Sequence, residues 1–177
     1  MKFTEQSLPG VFLIEPEPFM DDRGVFRRHF CQDEFQRYGI ANEVLQANVS
    51  ENNYAHTLRG FHYQLAPFGE GKTLSCLKGK IYDIIVDLRK DSPTYMEWIS
   101  FELDDENCNS IHIPPGCANA FLTMVDGCLI QYYCSQSYSP EYERGIRYND
   151  LAFDFKWPHK PECISEKDNN HPDYHKV

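Results

Sequence analysis

The sequence predicts an all-β fold, an antiparallel jelly roll with one short helix near the N-terminus. Three observations carry that expectation. Aromatic side chains make up 14% of the chain, and eleven prolines and ten glycines punctuate it, a composition suited to many short strands joined by turns. After the Lys78-Gly79 turn the chain alternates: Tyr82, Ile84, Val86 and Leu88 take one face, and Ile81, Asp83, Ile85 and Asp87 the other. A strand with two faces fit for burial, one partly acidic, suits a barrel or sandwich whose interior holds a polar ligand. Turn signals then recur at short intervals. Asp91-Ser92-Pro93-Thr94 leads into a strand over 98–103, and Asp104-Asp105-Glu106-Asn107 turns again. Further strands are expected over 110–113, 120–124 and 128–135, so that everything from 46 to 157 reads as strand and turn. The helix is expected over 31–38, where Gly39 can take the left-handed conformation that ends it.

The 177 residues suit one domain, spanning the whole chain, with room for a substantial core. No apolar run reaches the length of a membrane span, and Met1-Lys2-Phe3-Thr4-Glu5-Gln6 lacks the hydrophobic region of a signal peptide, so a cytoplasmic location without membrane contact is expected. A formal net charge of −10 argues against nucleic acid as a partner, which needs a basic surface. It leaves room for a small anionic ligand held by a few arginines. The seven cysteines are odd in number and include no CxxC pair, a pattern of free thiols in a reducing compartment.

Four segments could carry chemistry. Arg59-Gly60-Phe61-His62-Tyr63-Gln64, expected just ahead of a strand pair, offers an arginine able to hold a phosphate and a histidine able to act near neutral pH. Taken alone, such a histidine is more often structural than catalytic. Asp21-Asp22-Arg23-Gly24 is explained by a polar turn. Gly69-Glu70-Gly71-Lys72 precedes a strand and not a helix, so it reads as a hairpin tip and not a phosphate-binding loop. The polar C-terminal stretch from Trp157-Pro158 could, by composition, be a frayed tail.

Metal-binding cupins place a His-x-His pair and a carboxylate in one motif and Pro-x-Gly-x-x-His in the next. Here those places read His62-Tyr63-Gln64 and Pro114-Pro115-Gly116-Cys117-Ala118-Asn119. Gln64 is a poor transition-metal ligand, Asn119 replaces the second histidine, and the one remaining nitrogen ligand is too few for a stable site. The expectation is a metal-free protein.

The ordered words of the chain resemble the dTDP-4-dehydrorhamnose 3,5-epimerase family over nearly its whole length. They are Gly10-Val11-Phe12-Leu13-Ile14 with Pro16, Asp22-Arg23-Gly24, Gln46-x-Asn48-x-Ser50, and Leu58-Arg59-Gly60-Phe61-His62-Tyr63-Gln64 with Gly71-Lys72. Val86-Asp87-Leu88-Arg89 with Asp91-Ser92-Pro93-Thr94, Ile113-Pro114-x-Gly116, Pro140-x-x-Glu143-Arg144-Gly145-Ile146-Arg147 and Ser165-Glu166-Lys167-Asp168 complete the series.

The resemblance implies a homodimeric cupin-type jelly roll that uses no cofactor and serves deoxysugar biosynthesis, as in lipopolysaccharide O-antigen. Its small-molecule ligand would be a nucleotide diphosphate 4-keto-6-deoxyhexose, epimerised at C3, C5 or both. His62 takes the place of the base that removes the proton next to the C4 ketone. Asp168 matches the aspartate that holds the imidazole, which gives the C-terminal segment a reason to fold back. Tyr132 matches the tyrosine that returns the proton on the opposite face, and Lys72 the cation beside the developing enolate. Arg59 and Arg23 match the diphosphate arginines, with Arg23 reaching over from the partner subunit. Phe26, Gln46, Asn48, Asn119, Tyr138 and the position of Arg28 are the further substrate contacts that the resemblance implies.

The chain departs from the family pattern at three places. Asn119 stands where histidine is usual, Tyr133 where lysine is usual, and Arg28 where glutamate is usual. If these side chains face the same cavity, they fit retained proton transfer on an altered substrate, such as a CDP-linked sugar or one inverted at C3 alone. Tyr133, alternating with Tyr132, should point away from the site. A keto-isomerase on similar sugars, a non-catalytic sugar-nucleotide-binding jelly roll and a metal-dependent cupin are the competing classes. The second would not need His62, Tyr132 and Asp168 together, and the third lacks its ligands.

Overall fold

The Lys78-Gly79 turn and the alternation that follows it organise the molecule, which is a computed structural model describing residues 1–40 and 43–175. In chain order the strands are β1 (Lys2–Glu5), β2 (Phe12–Glu15), β3 (Phe19–Asp21), β4 (Gly24–Phe26), β5 (Gln46–Asn52), β6 (Thr57–Gln64) and β7 (Lys72–Lys78). They continue as β8 (Lys80–Asp87), β9 (Trp98–Asp104), β10 (Ser110–Ile113), β11 (Cys117–Thr123), β12 (Cys128–Cys134), β13 (Glu143–Gly145) and β14 (Cys163–Ile164). One helix, α1 (Gln32–Arg37), follows β4, and a second, α2 (Glu166–Asn169), closes the chain.

Two sheets face each other, ordered β1-β2-β10-β7-β12-β5 and β13-β6-β11-β8-β9, with β14 added along β6. All the pairings are antiparallel except β14 on β6. The result is the all-β jelly roll that composition and turn spacing predict.

β8 shows why the sheets pack as they do. Ile81 and Ile85 enter the core between the sheets with Leu74, Ile111, Phe121 and Ile130. On the other face, Ile84 and Val86 join Phe61, Ala118 and Ala120 in a second cluster. Phe155, Trp157 and Tyr174, from the segment after β13, cover that second face. The polar C-terminal stretch is therefore anchored by its few aromatics. Asp87, at the end of β8, accepts from Arg89 Nε at 2.8 Å, Ser92 Oγ at 2.6 Å and Thr94 Oγ1 at 2.7 Å. Burial works against the ionised carboxyl, but these donors hold its pKa down to about 2. This ties the 91–94 turn to the sheet, a structural role for a conspicuous sequence word.

Three differences from expectation are physical. The N-terminal strands β1 to β4 are too short to show a period, and β3 and β4 have no buried residue at all. β11 begins at Cys117, ahead of the expected 120, because its register against β8 carries through Ala118 and Asn119. α2 is a second helix, a single turn whose signal is Ser165, which accepts from the Asp168 amide. α1 matches its expected position, and Gly39 follows it at φ 69°.

Candidate active site

The word Arg59-Gly60-Phe61-His62 lies inside β6, not ahead of a strand pair, and a bulge gives it its use. β11 pairs Ala120 with Gly60 and Asn119 with His62, so Phe61 is skipped. With strict alternation, residues three apart would face opposite sides of a sheet. The skipped residue instead sends Phe61 into the outer core and lets Arg59 and His62 line one cavity. Gly60 is required here: its φ is 112°, and a Cβ would lie 2.5 Å from the Asn119 carbonyl oxygen.

β14 pairs Cys163 and Ile164 with Thr57 and Leu58 of β6, which delivers α2 to the same place. His62 Nε2 lies 2.7 Å from Asp168 Oδ1, and the Gly60 amide donates to Asp168 Oδ2 at 3.2 Å. Burial opposes ionisation of Asp168, yet the hydrogen bond and charge of His62 hold its carboxyl below the ordinary aspartate value. With Nε2–H donated to this carboxylate, Nδ1 is the ring nitrogen left with a lone pair for a proton.

The cavity has two lobes. One, of about 470 Å³, is lined by Arg59, His62, Lys72, Asn119, Tyr132 and Asp168 among others. The other, of about 300 Å³, adds Gln46, Asn48, Tyr138 and Glu143. His62, Lys72 and Tyr132 border both lobes. Burial pushes the Tyr132 phenol above its ordinary pKa, with Lys72 pulling the other way, so the hydroxyl keeps its proton near neutral pH. Arg59 is steadied by Asn52, which accepts from Nε at 2.7 Å.

Lys72 makes polar contacts that sequence reasoning leaves out. It lies 3.3 Å from Glu70 Oε1 and donates to Asn119 Oδ1 at 3.4 Å. Asn119 Nδ2 in turn donates to Asp83 Oδ1 at 2.9 Å. Asp83 is fully buried, and burial lifts its pKa to about 7 against the pull of the Asn119 amide and Lys72. The acidic inner face of β8 was the only sign of this chain of contacts. Glu143 was hidden likewise, inside a sequence word of no stated role; it accepts from Tyr138 Oη and Lys167 Nζ, each at 2.7 Å.

The remaining candidates lie elsewhere. Arg23 and Phe26 sit on the β3–β4 hairpin, 90% exposed at the Arg23 side chain and 72% exposed at Phe26, far from burial in this chain. Arg28 pairs with Glu34 at 3.0 Å and does not line the cavity. Tyr133 packs on Phe30 on the opposite face of β12 from Tyr132. Of the three departures from the family pattern, Asn119 alone borders the cavity among the described residues.

Comparison with known proteins agrees with this fold. The family model described as dTDP-4-dehydrorhamnose 3,5-epimerase matches residues 5–176. The dTDP-4-dehydrorhamnose 3,5-epimerase of Methanothermobacter thermautotrophicus is 40% identical over 172 residues, 96% of this chain and 92% of that one. The crystal structure of the Bacillus anthracis dTDP-4-dehydrorhamnose 3,5-epimerase with TDP and pyrophosphate bound superposes with a TM-score of 0.94 at 34% identity, covering 98% of this chain and 99% of that one. A 3′-monoepimerase from Streptomyces bikiniensis, solved with dTDP-quinovose, gives a TM-score of 0.88 at 30% identity over 95% of this chain and 85% of that one. The chain belongs to the dTDP-4-dehydrorhamnose 3,5-epimerase family, whose members are enzymes of the isomerase class.

Proposed function

We propose that this chain works as a cytoplasmic homodimer that epimerises a nucleotide diphosphate 4-keto-6-deoxyhexose next to its C4 ketone. The observation that carries the reading is the His62–Asp168 pair at 2.7 Å in a cavity whose other side is Tyr132. His62 Nδ1 takes the proton from the carbon beside the ketone. The electron pair moves into the enolate, and Lys72 stabilises the charge that develops on the oxygen. Tyr132 then gives its phenolic proton to the other face of that carbon, and solvent restores both groups. Inversion needs a donor and an acceptor on opposite faces, because a single base returns the proton to the face it left. No step calls for a metal or a cofactor.

Arg59 is the residue of this cavity best suited to the diphosphate, since its planar fork binds two oxygens at once. The homodimer is supported by the β3–β4 hairpin, where Phe19, Met20 and Phe26 are 80%, 75% and 72% exposed beside Arg23. Apolar side chains so exposed on a hairpin are suited to a protein contact.

Inversion at C3 alone is the second reading. Asn119 keeps a hydrogen bond to Lys72 but cannot become cationic, and the S. bikiniensis 3′-monoepimerase has the same fold. Incubation with dTDP- and CDP-4-keto-6-deoxyglucose in deuterium oxide, followed by NMR, tests both. Deuterium at C3 and C5 of the dTDP product identifies a 3,5-epimerase, and deuterium at C3 alone a monoepimerase. Turnover of the CDP sugar in preference moves the base specificity, and no exchange in either sugar refutes the reading.

A further inference from the structure

A second histidine stands behind the base. His171 follows Asp168 by one turn, and its Nε2 lies 3.8 Å from Asp168 Oδ1, the oxygen that also holds His62. Among the described residues, this buried Nε2 has no hydrogen-bond partner. Its place is made by Gly145, which pairs with His62 across β13 and β6. A Cβ at 145 would lie 2.1 Å from the His171 ring, so a glycine opposite the base is what admits the second imidazole.

One ligand atom each from His62, Asp168 and His171 lies within 4.8 Å of the other two. Two ligands at about 2.1 Å from a tetrahedral zinc ion stand roughly 3.4 Å apart. The 2.7 Å contact need open, and the 3.8 Å contact close, by less than about 1 Å. The neighbouring cation, Lys167, is already paired with Glu143 at 2.7 Å. Of the three, only His62 stands at a cupin metal position; Gln64 and Asn119 occupy other such positions, and Asp168 and His171 come from the C-terminal segment instead.

We propose that His62, Asp168 and His171 form an inhibitory site for a borderline transition-metal ion such as Zn²⁺. The ion displaces the proton from His62 Nε2, and solvent returns one to Nδ1, so the imidazole stays neutral with no net proton released. A neutral imidazole with metal on Nε2 carries its hydrogen on Nδ1, so the lone pair that would accept the substrate proton is lost. Zinc here switches the base to its wrong tautomer. The loss of activity rests on His62 being the base; the binding does not.

The test uses the full chain, stripped of metal, with Zn²⁺ alone as the probe. A zinc-sensitive chelator dye reads binding without substrate, and deuterium exchange into the nucleotide sugar reads activity at the same zinc concentrations. Wild type should bind one zinc per chain at micromolar concentration and lose exchange at least about tenfold, reversibly on chelation, with millimolar Mg²⁺ inert because it prefers oxygen ligands. His171→Ala and His171→Gln, each compared with its own metal-free rate and checked by thermal melting, should need at least about tenfold more zinc for both effects. A wild-type chain that takes up no zinc in this range, or variants that bind it equally well, would overturn the site. Zinc binding that depends on His171 but leaves exchange intact supports the site and removes His62 from the role of base.

Discussion

Asp168 reaches His62 from 106 residues away, and the 2.7 Å contact between them is made by a two-residue parallel strand and a single helical turn. The Asp168 carboxylate accepts from Nε2 and thereby sets the lone pair on Nδ1. Asp168→Asn keeps the shape, but its amide can donate to Nε2 and leave hydrogen on Nδ1. Turnover should fall by about 10²–10⁴, and His62→Ala should fall at least as far, with little change in melting temperature. Solvent-exchange rates of the two variants check this. Either variant keeping more than about half the wild-type rate would remove the pair from the proton transfer.

Tyr132→Phe should separate exchange from inversion. His62 can still remove a proton and return deuterium to the same face, so label enters recovered substrate. Net epimer formation should drop by about 10²–10³, the contribution of a positioned acid. NMR of substrate and product from one incubation reads both quantities. Equal loss of the two would assign Tyr132 to binding, and unchanged inversion would require another proton donor.

Asp83 predicts a pH signature in stability. Its carboxyl is ordinary in the unfolded chain and is lifted to about 7 in the folded one by burial. The folded state therefore binds the proton more tightly. Stability linked to this group is fully present below about pH 4 and is lost as pH rises toward about 7. Asp83→Asn keeps an oxygen for the Asn119 amide but cannot ionise. Its stability relative to wild type should rise by about 1–4 kcal/mol between pH 5 and pH 8, read from denaturant melts at both. Parallel pH curves for the two proteins would show that Asp83 does not titrate in this window.

What the sequence made legible divides along physical lines. The two faces of β8 were readable because alternation is local, and the strand over 110–113 was readable because Asn107 and Pro114 bracket it. The roles proposed for His62, Lys72, Tyr132 and Asp168 rest on ordered words, not on spacing, since no local rule joins residues 62 and 168. The Lys72–Asn119–Asp83 contacts stayed hidden because three strands supply them, β8 and β11 from one sheet and β7 from the other, and only the packing of the two sheets brings them together. His171 gave no signal at all. It reads as one polar residue in a polar tail until Gly145 is seen to make room for it.

Arg23 provides the last prediction, because among the described residues it lines neither lobe of its own chain's cavity. Its guanidinium pairs with Asp21 on an exposed hairpin, whereas the cavity that wants a second phosphate ligand belongs to β6, β7 and β12. If the hairpin reaches into the partner's site, Arg23→Ala and His62→Ala damage the two halves of different sites. A mixed dimer of the two single variants then holds one site with both defects and one with none. Coexpression under separate affinity tags, followed by two-step purification, yields that dimer. It should recover about half the wild-type rate, while each parent homodimer and a dimer of the double variant stay low. Arg23→Ala alone should raise KM more than it lowers kcat, because a phosphate contact is made equally in ground and transition states. A mixed dimer no more active than its parents would place Arg23 in its own subunit's chemistry or outside it altogether.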